Sequence, residues 1–228
     1  QGLKTDFVHL ENGMTRINVK IKAGQETELN GAGPDIPESA MQALEEKLDR
    51  LQKGDILILA GSIPASLAQT TYERILARLE GRDIRAVVDA TRDLLVNVLP
   101  YKPFLIKPNN HELSEIAGVK LTNDNEIVTA ARMMQAKGAR NVLVSMAGDG
   151  ALLLDEQGGV HRIGCPKGKV VNSVGAGDSM VAGFVAGYQQ SGGDYAAALK
   201  LGTACGSATA FSLGLATKAD IDKLLKTM

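Results

Sequence analysis

The sequence predicts an α/β domain built on a mostly parallel sheet with helices on both faces. Three observations carry that expectation. Short apolar runs recur at Ile56 to Ala60, Ala86 to Val88, Phe104 to Ile106 and Asn141 to Ser145. Stretches with apolar residues at helical spacing lie between them. Buried strands that alternate with helices need crossovers, and crossovers make neighbouring strands parallel. A length of 228 residues suits one large domain with a sizeable core.

Each element has its own signal. Thr15 to Lys22 alternates polar and β-branched residues, Ala23-Gly24 offers a turn, and Gln25 to Leu29 can return antiparallel. This reads as a half-exposed hairpin in a small β lid over residues 7–30, projecting from a single domain over 1–228. Gly31, Gly33, Pro34 and Pro37 mark a loop. Met41, Leu44, Leu48 and Leu51 then predict an amphipathic helix from Glu38 to Leu51. Ile56 to Ala60 reads as a buried strand. Tyr72, Ile75, Leu76 and Leu79 line a helix, Ala86 to Val88 is a strand, and Leu94 to Leu99 a short helix. Phe104 to Ile106 is a strand, and Ile127, Ala130, Ala131 and Met134 lie on another helix. Asn141 to Ser145 is a strand that Gly148-Asp149-Gly150 turns into Ala151 to Leu154. Three helices close the chain, over Gly177 to Gln190, Asp194 to Phe211 and Lys218 to Lys226.

Composition excludes several classes. Net charge is −1, so no basic field points to nucleic acid, and Trp is absent. No apolar run is long enough to span a membrane. Cys165 and Cys205 lack a C-x-x-C spacing and read as small, reduced, buried hydrophobes of a cytoplasmic protein. His9, His111 and His161 are scattered and suggest no metal site.

The chemistry gathers at Asn172-Ser173-Val174-Gly175-Ala176-Gly177-Asp178. Small residues at a helix start let a ligand approach unpaired N–H groups at the positive end of the helix dipole. A carboxylate beside such a nest can take a proton from an alcohol attacking phosphorus, although an Asp in a first turn is also an ordinary capping choice. Gly-Lys-Ser/Thr is absent, which excludes a P-loop, and Met180 stands where a dinucleotide fingerprint needs its third glycine. Asn109-x-x-Glu112 reads as a capping box. Ser145 to Gly150 reads as a hairpin turn. Thr203 and Ser207, four apart, read as helix packing by small residues, and Arg16 as an exposed strand arginine. Asp89 ends a strand, where ligand sites of α/β sheets open.

Residues Asn172 to Gly183 resemble the C-terminal signature of the ribokinase-like, or PfkB-type, sugar kinases. Lys107-Pro108-Asn109-Asn110-His111-Glu112 and Gly61-Ser62-Ile63-Pro64 resemble two further segments of that family. Thr15 to Ile21 is similar to the lid of its phosphosugar branch, most of all the 1-phosphofructokinases. The resemblance implies a three-layer α/β/α fold and ATP-dependent phosphorylation of a phosphosugar, foremost fructose 1-phosphate to fructose 1,6-bisphosphate. Tagatose 6-phosphate and fructose 6-phosphate are alternative substrates, and a non-catalytic nucleotide-binding fragment is the alternative of another class. Asp178 would be the base, and the amides of Gly175, Ala176 and Gly177 an anion hole. Lys107, Asn109, Ser145, Gly150, Thr203 and Ser207 would face ATP, with an alanine at 147 where the family favours glycine. Glu112 would organise Mg²⁺ through water. Backbone carbonyls of Asn172, Val174, Thr209, Ser212 and Gly214 match positions that can hold K⁺. Arg16 would bind the phosphate that the sugar already carries, and Ser62 and Asp178 would lie at the sugar. Apart from the resemblance, the exposed edges of the projecting hairpin, Thr15 to Leu29, predict pairing with a second copy in a homodimer. Relatives are expected to carry roughly 80 residues more before the counterpart of position 1, including a Gly-Gly-Lys-Gly-x-Asn sugar-binding segment. The chain is therefore expected to lack part of the sugar cradle and to show little activity alone.

Overall fold

The structure is a computed structural model that describes residues 2–23 and 25–228, with the backbone alone for 22, 23, 25 and 26. The residues fall into two compact units, 1–55 with 62–84, and 56–61 with 85–228.

In the first unit, β1 (Asn18–Ala23) pairs antiparallel with β2 (Gln25–Asn30), Val19 opposite Leu29. The pairing begins later than the sequence suggests. Residues 15–17 lie beyond Asn30, the last cross-strand partner, where Gly31 N–H still reaches the Ile17 carbonyl at 3.1 Å. Residues 7–17 form no strand, so the lid's regular part is the hairpin. The expected turn residue Gly24 lies outside the described residues. The helix α1 (Glu38–Leu48) stops short of Leu51, because Arg50 and Leu51 turn to tighter bonds three residues back. α2 (Thr71–Arg78) buries Tyr72, Ile75 and Leu76. The two helices are tied through carboxylates: Arg74 meets Glu38 at 2.9 Å and Glu45 at 2.5 Å, and Arg78 meets Asp49 at 2.6 Å. Glu45 is buried, and two guanidinium groups offset its desolvation.

The second unit holds one six-stranded sheet. Its order is β3 (Ile56–Ala60), β4 (Arg85–Asp89), β5 (Leu105–Ile106), β6 (Asn141–Ser145), β7 (Ala151–Leu154) and β8 (Val160–Ile163). The first four are parallel, while β7 and β8 run antiparallel. β8 escapes a sequence reading because four residues alternating with His161 and Arg162 carry little periodic signal. The apolar run of β3 suggests a strand covered on both faces, but β3 is last in the order and Ile58 is 43% exposed.

Helices cover both faces, as the alternation of strand side chains requires. Val87, Leu105, Leu143 and Leu153 pack with Phe184 and Val185 of α6 (Ala176–Gln190) and Ala198 and Leu199 of α7 (Tyr195–Ala210). Val88, Ile106, Val142 and Leu152 alternate to the other face, where α4 (Asn110–Ala117) and α5 (Asp124–Ala136) lie. α3 (Arg92–Asn97) and α8 (Lys218–Leu225) complete the unit. α6 and α7 approach closely through glycines: a Cβ on Gly183 would come 2.7 Å from Cys205 Sγ, and one on Gly202 2.9 Å from the Met180 carbonyl. Neither cysteine is fully buried, and both are free thiols.

Candidate active site

The site grows from the start of α6. Gly175 is its N-cap, with φ of +79°, a left-handed conformation that favours glycine. A side chain there would also strike Leu215 Cδ2 at 2.9 Å. The amides of Gly175 and Gly177 have no backbone acceptor among the described residues, while that of Ala176 donates to the Ser173 carbonyl at 3.2 Å. The anion nest is therefore narrower than three free donors. Asp178 lies in the first turn and is exposed, and its carboxylate makes no hydrogen bond among the described residues. Its carboxylate is not spent on capping.

Lys107 follows β5 and is buried. A Cβ on Gly177 would lie 3.3 Å from Lys107 Nζ, so the ammonium stands against the first turn of α6. Its partner is Asp89, at the end of β4, with Nζ to Oδ1 of 3.2 Å. Burial pushes the Asp89 carboxyl above its usual range; Lys107 pulls it back, and the charges of Asp178 and Glu112 push it up again. The sequence places Asp89 at a promising strand end. It does not show the pair, because the two residues meet only through the β4–β5 register.

Asn109 and Glu112 form the capping box that the spacing predicts. Asn109 Oδ1 accepts from the amides of His111 and Glu112 at 2.9 and 2.8 Å, and Glu112 Oε2 accepts from the Asn109 amide at 2.8 Å. This capping box fixes the start of α4. It leaves Glu112 Oε1 without a protein donor among the described residues, so one oxygen remains for a hydrated cation. Ser145 bridges to Asn109, which brings the ends of β5 and β6 together.

The turn after β6 departs from a simple hairpin. Ala147 has φ of +47°, left-handed for a residue that carries a Cβ. Gly150 has φ of +91°, and a Cβ there would sit 2.1 Å from the Ile163 carbonyl. Thr203 and Ser207 project from α7 and are buried. Thr203 Oγ1 has no hydrogen-bond partner among the described residues. Ser207 Oγ lies 3.6 Å from Cys165 Sγ. A cleft of about 670 Å³ joins these parts, lined by Lys107, Asn109, Ser145, Gly150, Ala176, Gly177, Thr203 and Ser207. Cys165 also lines it, a position that a reading of the thiols as core hydrophobes misses. The uncapped amides, the buried ammonium and the orphaned hydroxyl fit a polyanionic nucleotide.

The segments expected to hold a monovalent cation adjoin one another. Asn172 Nδ2 donates to the Leu213 carbonyl at 3.0 Å, and the Val174 amide donates to Asn172 Oδ1 at 3.3 Å. The Thr209 carbonyl already accepts from Ser212 N–H at 3.1 Å. Gly214 is exposed. In the first unit, Arg16 donates to Ser62 Oγ at 2.8 Å, so the two residues expected at the sugar phosphate meet.

A family model described as pfkB family carbohydrate kinase matches residues 1–222. The chain belongs to that family. Its members are phosphotransferases that act on an alcohol group, and its fold is the ribokinase-like three-layer arrangement. The chain is 47% identical to the 1-phosphofructokinase of Bacillus subtilis, over 99% of this chain and 73% of that protein. It is 37% identical to the D-tagatose-1-phosphate kinase of Bacillus licheniformis, over 98% of this chain and 72% of that one. A crystal structure of phosphofructokinase-2 from Escherichia coli in complex with potassium superposes with a TM-score of 0.84 at 27% identity. That match covers 94% of this chain and 71% of the Escherichia coli chain.

Proposed function

We propose that this pfkB-type kinase transfers the γ-phosphoryl group of ATP to fructose 1-phosphate, giving fructose 1,6-bisphosphate. The observation that carries the reading is the uncommitted carboxylate of Asp178 beside the Gly175 and Gly177 amides, with the Lys107 ammonium against the same helix turn. Asp178 takes the proton of the acceptor hydroxyl, its oxygen bonds to the γ-phosphorus, and the bond from phosphorus to the β-bridging oxygen breaks. Phosphoryl transfer needs positioning and charge stabilisation, which fixed amides and an ammonium supply without reorganising. Mg²⁺ supplies charge neutralisation on the phosphates when bound, and Glu112 Oε1 is the protein oxygen that fits its water shell. The potassium complex of the Escherichia coli relative supports a K⁺ site at the loops of Asn172, Val174, Thr209, Ser212 and Gly214. Arg16 and Ser62 are the contacts for the phosphate that the sugar already carries, since a guanidinium binds phosphate in two-pronged fashion.

The name of the Bacillus subtilis relative supports fructose 1-phosphate, and the Bacillus licheniformis relative makes tagatose 1-phosphate the first competitor to test. A coupled ADP-release assay with both, and with tagatose 6-phosphate and fructose 6-phosphate, decides among them. Highest kcat/KM on any other sugar would overturn the choice. Within its 228 residues the sequence has no Gly-Gly-Lys-Gly-x-Asn segment, and we expect slow turnover from this chain alone. Turnover equal to that of the Bacillus subtilis relative would refute that expectation.

The lid supports a homodimer. Val19, Ile21 and Leu29 share one exposed apolar face of the hairpin, a surface that a second copy can cover. The free thiols suit the cytoplasm. Among the described residues no helix is long and apolar enough to cross a membrane.

A further inference from the structure

Lys107 occupies an electrostatically costly place. Its side chain is 8% exposed, and its ammonium abuts the first turn of α6. That turn is the positive end of a helix of 15 residues. Two positive centres thus converge, and the ammonium is largely withdrawn from water. Such a convergence suits a phosphate that arrives, and a carboxylate held at the ammonium steadies it before then. The register supplies the counterweight. Lys107 N–H donates to the Val88 carbonyl at 3.3 Å, which sets the ends of β4 and β5 side by side and brings Asp89 Oδ1 to 3.2 Å from Nζ. Asp89 is itself disfavoured as an anion by burial and by the charges of Asp178 and Glu112, and among the causes acting on it Lys107 alone favours its charge. The charge of Asp89 thus depends on Lys107.

We propose that Asp89 is a positioning residue: it holds the Lys107 ammonium against the Gly177 turn, so that amide and ammonium meet the same phosphate group. The inference rests on reading the cleft as an ATP site. Asp89 touches no substrate in this account. It acts through Lys107, and that gives its removal a distinctive sign. A bystander carboxylate repels ATP, so removing its charge would tighten binding. A positioning carboxylate weakens binding when it is lost.

The test is calorimetric titration of ATP into the wild-type chain and into Asp89→Asn, Lys107→Met and the double variant, with Mg²⁺ and with EDTA. Lys107→Met should weaken ATP about tenfold or more, the worth of a charge-assisted hydrogen bond. Asp89→Asn should lose a comparable factor, with and without Mg²⁺, and should cost nothing further in the Lys107→Met background. Tighter or unchanged binding in Asp89→Asn would overturn the proposal, as would a loss seen only with Mg²⁺, which would assign Asp89 to the cation. Should Asp89→Asn not fold, the double variant removes both charges together. Affinity equal to that of Lys107→Met then supports the proposal, and a further loss overturns it. Failure of the wild type to bind ATP would overturn the nucleotide reading and this inference together, whereas normal wild-type binding with an unaffected Asp89→Asn sinks this inference alone.

Discussion

At Gly150 a single added methyl group should do severe damage. The residue joins the turn at Ala147 to β7 and has φ of +91° and ψ of −132°, a region that side chains rarely enter. A Cβ would lie 2.1 Å from the Ile163 carbonyl oxygen and 2.7 Å from both the Cys165 amide nitrogen and the Gly164 carbonyl carbon. All three are backbone atoms of the β8 end, so no flexible side chain can yield. Gly150→Ala therefore combines backbone strain of about 1–3 kcal/mol with overpacking of about 1–3 kcal/mol. A loss of about 3 kcal/mol corresponds to a fall in Tm of about 6–12 °C for a chain of this size. Two neighbours serve as controls. Gly148 has no atom within 4 Å of a built Cβ, so Gly148→Ala should change stability by less than about 0.5 kcal/mol. Ala147 already pays for φ of +47°, and Ala147→Gly should gain about 1 kcal/mol. Urea unfolding of the three variants, read by circular dichroism, gives the order Ala147→Gly, wild type, Gly148→Ala close behind, and Gly150→Ala far below. Wild-type stability in Gly150→Ala would refute the packing of this turn against β8.

Asp155 accepts from the amides of Gln157 and Gly159 at 2.8 Å each and meets His161 Nε2 at 2.7 Å. Burial pushes its carboxyl up, but His161 and the two amides outweigh it and hold the carboxyl below its usual range. A carboxylate depressed in the fold contributes stability above its unfolded pKa and loses it as pH falls through the folded one. Thermal melts should show wild-type Tm falling more steeply than that of Asp155→Asn as pH drops below about 4, with the variant less stable at pH 7; parallel acid limbs would contradict this. Thr203→Val removes a buried hydroxyl that has no partner. Without ligand the variant should match or exceed wild-type stability by about 1 kcal/mol, while ATP affinity falls about five- to tenfold. Unchanged ATP affinity by calorimetry would separate Thr203 from the nucleotide.

What the sequence shows and what it hides follow from physical range. Glycine spacing and an apolar helical run make the start of α6 legible, because a left-handed cap and a buried helix face are local demands. The strands β4, β6 and β7 are legible for the same reason: Val87, Val88, Val142, Leu143 and Leu153 are buried, and burial shapes composition. β8 is half-exposed and short, so its partner β7 decides it. The Asp89–Lys107 pair depends on a register between strands, and the collision at Gly150 on a strand that the sequence does not reveal. The Ala176 amide is spent on Ser173 through a turn that small residues permit but do not dictate.

Asp178 is the residue on which the proposed phosphoryl transfer depends. The direct measurement is ³¹P NMR of this chain with MgATP and fructose 1-phosphate, followed for hours so that slow turnover still registers, beside Asp178→Asn. Calorimetry of ATP binding accompanies both proteins. Fructose 1,6-bisphosphate and ADP should accumulate with the wild type, and the rate should fall about 10²–10⁴-fold in Asp178→Asn, the span that general-base catalysis supplies, with ATP affinity within a few-fold of wild type. Equal product from the variant would remove Asp178 from the reaction and contradict the account.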